Sequence, residues 1–454
     1  MRTCPREHCN RGSAKSGSRE SNGNARPAGS FFFPLDQHLE LGTEGYSPAV
    51  IRLAVHKAQG FACFKAASLD LKESLDVGMS PKHMERLCRR VGEEWSAQRD
   101  RQVESYQRRQ LPRDYPKAAP AAAAVMVDSG RVQTRQENQP PGVYQPAWKA
   151  TNVACCLTLK SQSHQEDPQP EPPRKFLDPP KVQQLVAQIH ARGSGEKPPV
   201  GKQTPKRKNK KRRSKESSRK NPNHRKGPVR LVRTTVATML NWEQFGWQVA
   251  AEAHRRSLDL AARKAYVCDG QACNWTLFEM HFQASGFVAI LDILHLLGYL
   301  YAAALAIAGE KGLWPRYERW LRLAWAGRSG VLLQELKSAA GERGVAPRDA
   351  AEGDPRRVLA EAVRYVSNNQ SRMDYPRYRK LGLPISSAPV ESVIKQYNQR
   401  IKGSEKFWLP AMVEAMQQIR AAYLCDDGRA EKYWNLPRPH RHAVGGGRLN
   451  SAAA

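Results

Sequence analysis

The chain is short of acids for the cations it carries. Its 454 residues hold 43 Asp and Glu against 73 Lys and Arg, a formal net charge of +30. Such a balance points to a polyanionic partner, because neutralising nucleic-acid phosphates releases counterions and that term dominates affinity. A disulfide framework is also lacking. Nine cysteines, an odd number without a repeating spacing, suit a reducing cytoplasm better than an oxidising compartment. The first thirty residues are polar and offer no apolar leader. Long apolar runs are scarce, and the one candidate, Phe287 to Ala308, includes Asp292 and His295. Both would be costly in lipid, so the run is read as a buried strand followed by a core helix, with no membrane role. Zinc is not expected. Cys4 and Cys9 have the spacing of half a ribbon, but the next cysteine is Cys63, and a structural zinc site needs four ligands.

What the chain does have is three acids in telling places. Asp128 follows the apolar run Val125-Met126-Val127 and precedes Ser129-Gly130. Asp269 follows Ala265-Tyr266-Val267-Cys268 and precedes Gly270. Glu391 falls in the first turn of a helix read over 389–402. Asp-Gly at a strand end often only makes a turn. In open α/β sheets, however, ligands bind beyond the carboxyl ends of strands. Two such acids and a third from a helix can converge on a pair of hard cations. Two Mg²⁺ roughly 3.5–4 Å apart can activate a water or a 3′-hydroxyl and stabilise the leaving oxygen of a phosphodiester.

The 389–402 helix has a core stripe of Val390, Ile394, Tyr397 and Ile401. Beside it runs a second stripe of Glu391, Lys395, Asn398 and Lys402, a carboxylate among cations that suits a metal ligand next to a phosphate track. The plainer alternative is a surface Glu–Lys pair, which adds only ~0.2–0.5 kcal/mol to a helix. Asp292 also follows an apolar strand, with His295 one turn on. These two are read as partners behind the ligands, because Asp269 has Gly270 beside it to give an ion close backbone access.

Elsewhere the pattern divides the chain. Helices open at Ser47-Pro48, at about Ala66, and at Pro81, the third running into Val91 with Lys82, Arg86, Arg89 and Arg90. Three helices with a basic last one suit a helix-turn-helix module. Strands are expected at Val125–Asp128, Trp148–Leu159, Val229–Thr238, Lys264–Asp269 and Phe287–Leu291, and residues 296–370 read as helical. Between the two strand groups lies a Pro-rich stretch, then a block from Lys202 to Lys226 with 13 Lys or Arg and one Glu. A block of that kind is a solvated segment with non-specific DNA affinity.

Together these motifs resemble the DDE transposases of bacterial insertion sequences, in the broader Mutator-like group. The resemblance rests on Val127-Asp128-Ser129-Gly130-Arg131, on Tyr266-Val267-Cys268-Asp269-Gly270, and on Pro384 through Ser392 around Glu391. Asp292-Ile-Leu-His295, Tyr375-Pro376-Arg377-Tyr378 and Arg400-Ile-Lys402-Gly403-Ser404 add to it. The glycines usual before the Glu stand here as Ser386, Ser387, Ala388 and Pro389.

The resemblance implies an α/β RNase H-like catalytic core interrupted by an all-helical insertion, behind a small helical DNA-binding domain. The implied segments are 1–32 disordered with a ribbon remnant, 33–113 helical and DNA-binding, and 120–160 the first part of the core. A disordered insertion follows over 161–228, then core at 229–295, helical insertion at 296–375, core with the Glu helix at 376–436, and a disordered tail from 437. It implies strand cleavage and strand transfer on double-stranded DNA by a homo-oligomer. Asp128, Asp269 and Glu391 would hold two Mg²⁺, with Mn²⁺ as a substitute, and Lys395, Arg400 and Lys402 would line the DNA path. An inactive or domesticated DNA-binding relative and an RNase H-like nuclease are the rival readings.

Overall fold

The structure is a computed structural model that describes residues 45–114, 119–136, 147–194, 227–403 and 406–436. Residues 1–32 with their half-ribbon cysteines, the Lys202–Lys226 block and the tail from 437 lie outside the described residues.

Three helices come first: α1 (Pro48–Gly60), α2 (Phe64–Leu75) and α3 (Pro81–Gln107). Ser47 and Ser80 cap α1 and α3 through their side chains, each ahead of a proline in the first turn. The third helix does not stop near Val91 but runs for 27 residues. Its second half is held by the far end of the chain. A Cβ at Gly92 would fall 2.5 Å from Ala415, so the glycine lets two helices touch. Further along, Trp95 packs on Tyr433 with ring centroids 4.8 Å apart, and Arg99 pairs with Glu414.

Next come β1 (Ala122–Thr134), β2 (Ala147–Lys160), α4 (Pro179–Ser194), β3 (Val229–Thr238) and α5 (Trp242–Arg255). β4 (Arg263–Cys268), α6 (Ala272–His281) and β5 (Val288–Leu291) follow. The strands form one mixed sheet in the order β3-β2-β1-β4-β5. β1, β2 and β3 pair antiparallel, while β4 and β5 run parallel to β1. Ala122 through Asp128 are all buried, as expected for a central strand covered on both faces. The five strands and their spacing match the sequence pattern to within a few residues, with one exception. β1 does not end at Asp128 but continues to Thr134, because β2 pairs with it along the whole length.

The helical block consists of α7 (Ile293–Trp325), α8 (Ser329–Arg343), α9 (Pro355–Asn369) and α10 (Tyr375–Lys380). α7 is long and apolar enough to cross a membrane by length and composition. Here it breaks at Gly309, whose φ is +59°, and buries Leu296, Leu297, Leu300, Trp320 and Leu321 in the core. Residues 161–194, expected to be disordered, are ordered against this block. Arg379 of α10 forks onto Asp167, and Trp325 and Tyr317 donate to the carbonyls of Gln169 and Phe176. A proline-rich segment needs no regular structure to be fixed when its carbonyls meet buried donors.

The chain closes with α11 (Ala388–Ile401), α12 (Pro410–Leu424) and α13 (Arg429–Asn435). On α11 the stripe Val390, Ile394, Tyr397 and Ile401 is buried as its spacing predicts. α12 serves two cores: Met412, Met416 and Ile419 join the first three helices, while Val413 and Ala421 join the sheet. The amino-terminal helices and the half that holds the sheet thus share a helix.

A buried ion network clasps the carboxyl-terminal end to α5. Arg429 donates to Glu252 at 2.6 Å and Asp427 at 2.7 Å, and Arg255 bridges the same two acids. Burial would push Glu252 up, but the charges of Arg429 and Arg255 outweigh it and hold the carboxyl at about 2. Its stabilising contribution is therefore full above the ordinary carboxylate range and is lost as pH falls from about 4.5 toward 2. The loss is on the order of 3 kcal/mol. Arg429→Met should destabilise the chain by about 3 kcal/mol at neutral pH and flatten this acid dependence. Urea midpoints at neutral and acid pH check both; a variant as stable as the parent would contradict the network's role.

Candidate active site

Asp128 sits on β1 opposite Val153, two residues past the last β1–β4 pair, Met126 with Val267. The parallel neighbour has ended there, which opens the edge of the strand. The carboxylate is 7% exposed, and its Oδ1 accepts from the Ser129 amide at 2.7 Å.

Asp269 directly follows β4 and is held more elaborately. Its Oδ1 accepts from the Gln271 amide (3.1 Å) and from Asn274 Nδ2 (2.8 Å). The Tyr365 hydroxyl on α9 donates to its backbone carbonyl at 2.8 Å. Gly270 has φ +89°, and a Cβ there would meet Leu291 at 2.8 Å and Asn369 at 3.1 Å. Gly270→Ala should therefore cost about 1–3 kcal/mol by strain and overlap. A change under a few tenths of a kcal/mol in denaturant unfolding would contradict that packing.

Asp292 is fully buried and caps α7. Its Oδ1 accepts from the amides of Leu294 (3.1 Å) and Ser387 (3.0 Å). Its Oδ2 accepts from Ser387 Oγ and lies 2.7 Å from each of Ser387 Oγ and His295 Nδ1. Four bonds occupy the acceptor capacity of a carboxylate. Two helix amino termini, those of α7 and α11, thus meet on one anion, the sign that helix dipoles favour.

That junction fixes Glu391, one turn into α11 and 6% exposed. One ligand-type atom of each of Asp292, His295 and Glu391 lies within 4.8 Å of the others. Asp128 and Asp269 do not belong to that tight group. Both are nevertheless near enough to act on His295. Burial would lower its imidazole, but the bond and charge of Asp292, with Asp128 and Asp269 behind, raise it to about 9. Three aspartates thus act on one imidazole, and a carboxylate oxygen of Glu391 lies within 4.8 Å of it.

Among the described residues, Asp292, His295 and Glu391 are the group whose ligand atoms lie close enough together to hold a metal ion. Asp128, Asp269 and Glu391 offer carboxylate oxygens, the ligands preferred by Mg²⁺ and Mn²⁺. Both oxygens of Asp292 already accept hydrogen bonds, which join the first turns of α7 and α11.

Sequence reasoning missed three contributors. Ser387 carries the usual mark of a helix cap ahead of Ala388-Pro389, but its hydroxyl goes to Asp292 and not to its own helix. Asn274 and Tyr365 leave no mark. Tyr365 lies 96 residues from the acid it braces.

The residues expected on DNA divide. Lys395 is exposed, with Nζ at 3.3 Å from Gln188, and Lys402 is half-buried. Arg400 is a correction. It is 1% exposed, donates to the carbonyls of Ala58 and Ala62, and lies over the rings of Phe64 and Trp408. A guanidinium so enclosed ties α11 to the first helices and cannot reach a phosphate. On α3, Lys82 pairs with Glu85, Arg89 with Glu93, and Arg90 with Glu94, all within the helix, while Arg86 lies 3.4 Å from His83. Its positive face is largely offset by its own acids.

No family model matches the chain, and no curated protein matches it either. Among solved structures it is similar to the Drosophila P element transposase strand transfer complex, at TM-score 0.34 and 10% identity. The match covers 88% of this chain and 97% of that one. A likeness at this level carries no argument, and the functional reading rests on the residues themselves.

Proposed function

We propose that the chain is a DDE-type transposase with an RNase H-like core, cleaving DNA and joining the freed end to target DNA. One observation carries this reading. Ligand atoms of Glu391, on a late helix, of His295 and of Asp292 lie within 4.8 Å of one another. The charges of Asp128 on the first strand and Asp269 after the fourth act on the same histidine, beside a sheet of order β3-β2-β1-β4-β5. The resemblance of the sequence to insertion-sequence enzymes implies acids from these three elements, and this arrangement supports that reading. The helical block between Asp269 and Glu391 stands where such enzymes carry an insertion.

Asp128, Asp269 and Glu391 would hold two Mg²⁺, which when bound supply an activated water or 3′-hydroxyl and stabilise the leaving oxygen. Gln271 and Asn274 orient Asp269 by donating to its Oδ1. Tyr365 ties that turn to α9. Asp292 and Ser387 keep the first turn of α11 against α7, so that Glu391 cannot drift from the other acids. The cations of the chain would bind double-stranded DNA, and the protein would act as a homo-oligomer in the cytoplasm.

Mn²⁺ titration followed by electron paramagnetic resonance tests the ion site without needing DNA. Asp269→Asn and Glu391→Gln should each weaken binding by at least about tenfold, since even outer partners of a metal site cost 10–100-fold. Equal binding by parent and both variants would contradict the assignment.

A further inference from the structure

Helix α7 begins at the acids, and Tyr299 continues the face that Asp292 and His295 start. The three stand at i, i+3 and i+7, within about 60° around the helix. Tyr299 lies about 6 Å further along the axis than His295, and long side chains on a helix lean back toward its amino terminus. Its ring is stacked on that of Tyr365 from α9, with centroids 3.8 Å apart and planes 15° from parallel. Tyr365 in turn donates to the Asp269 carbonyl at 2.8 Å, and a Cβ at Gly270 would meet its ring at 3.1 Å. Acid, brace and outer ring therefore form one unbroken line of contacts. Tyr299 is nevertheless 37% exposed, although one face of its ring is covered. Arg364, exposed, precedes Tyr365 on α9. Burial raises the Tyr299 hydroxyl, the charges of Glu361 and Asp269 add to the rise, and Arg364 opposes it. Glu361 is itself paired with Arg357 at 3.1 Å.

Two parallel rings, the inner one fixed by its hydroxyl and the outer one open, make a platform of set orientation. Cations track phosphates, and an aromatic face accepts an unpaired base of any sequence by stacking. A base inside a duplex is stacked on both sides already and has no face to offer. We propose that Tyr299 receives an unpaired base of the DNA beside the phosphate held at the acids, with Arg364 on a neighbouring phosphate. The proposal rests on the reading of the acids as a DNA-cleaving site. It names the state of the DNA there: a base next to the cleaved bond is out of the duplex stack.

The test is fluorescence anisotropy of the full chain with two labelled duplexes of one sequence, one blunt and one with a few unpaired 3′ nucleotides. Both are titrated in Ca²⁺, which takes carboxylate oxygens. The parent should bind the overhang duplex more tightly than the blunt one. Tyr299→Ala and Tyr299→Leu should each weaken overhang binding by about tenfold and blunt binding by no more than about twofold. Tyr299→Phe, which keeps the ring and loses only the hydroxyl, should stay within about twofold of the parent on both. Arg364→Ala should weaken both probes and reduce the salt slope by about one unit. Leucine fills the space over Tyr365 without offering a stacking ring, so a Tyr299→Leu chain that binds the overhang like the parent would reduce Tyr299 to a packing residue. That result, equal loss on both probes, or a parent that binds both probes alike would overturn the proposal and leave the cleavage reading in place. A parent that binds neither probe would contradict the cleavage reading as well.

Discussion

Asp269→Asn is expected to abolish metal-dependent DNA cleavage, by roughly 10³-fold or more, with DNA affinity changed by no more than about twofold. A thousandfold is about 4 kcal/mol of transition-state stabilisation. The substitution is a clean probe because the amide keeps the size of the side chain. Its oxygen can still accept from Gln271 and Asn274, the two bonds that now orient the carboxylate. Gly270 and the Tyr365 contact involve only backbone at this position, so the turn should survive. What is lost is one negative charge and one oxygen donor. Asp128→Asn should behave alike, since an amide oxygen there can still accept from the Ser129 backbone. Initial rates on duplex DNA in Mg²⁺ decide the matter; a variant within a few-fold of the parent would remove the residue from the site.

Asp292→Ala is expected to fail in a different way, by destabilising the fold. The carboxylate is fully buried and accepts from Leu294, His295 and, twice, Ser387. Its removal leaves the half-buried His295 ring without its partner and two backbone amides and a hydroxyl without acceptors. Breaking a buried charge pair from one side costs about 3–5 kcal/mol. Asp292→Asn should rescue little, because four donors face the two oxygens and the new amide group would oppose two of them. Urea unfolding monitored by tryptophan fluorescence measures the effect. A loss below about 1 kcal/mol would mean that the junction of α7 and α11 does not depend on this anion.

Much of the sheet was legible because strand and helix periods differ along the sequence. The α11 stripe was legible for the same reason: four apolar residues at helical spacing are all buried. The length of α3 was not. Apolar positions thin out after Val91, and what continues the helix is contact with Ala415, Glu414 and Tyr433, more than 300 residues away. Arg400 illustrates the same limit at the level of a single residue. A cation beside an apolar stripe looks alike in sequence whether it faces phosphate or the carbonyls of a distant helix. The prolines of 168–180 suggested loss of regular structure, yet the stretch makes a 3-10 turn at Arg174–Phe176 and opens α4 at Pro179, and Arg379, Trp325 and Tyr317 hold it from outside.

The acids divide along similar lines. Their kind and their neighbours were readable, as was the spacing of one helical turn between Asp292 and His295. The continuation of β1 past Asp128 was not, because it depends on β2 and not on any residue near the acid. Nor was the role of Ser387, whose hydroxyl chooses Asp292 over its own helix.

Whether these acids perform strand cleavage and joining on DNA is tested most directly by one incubation. It combines the purified chain with duplexes cut from the two sides of the DNA segment that encodes it, a target plasmid and Mg²⁺. Joined products are expected that require a free 3′-hydroxyl, that vanish in EDTA, and that Asp269→Asn does not form. Joined products made equally by Asp269→Asn, or none from the parent chain on either flank, would contradict the assignment.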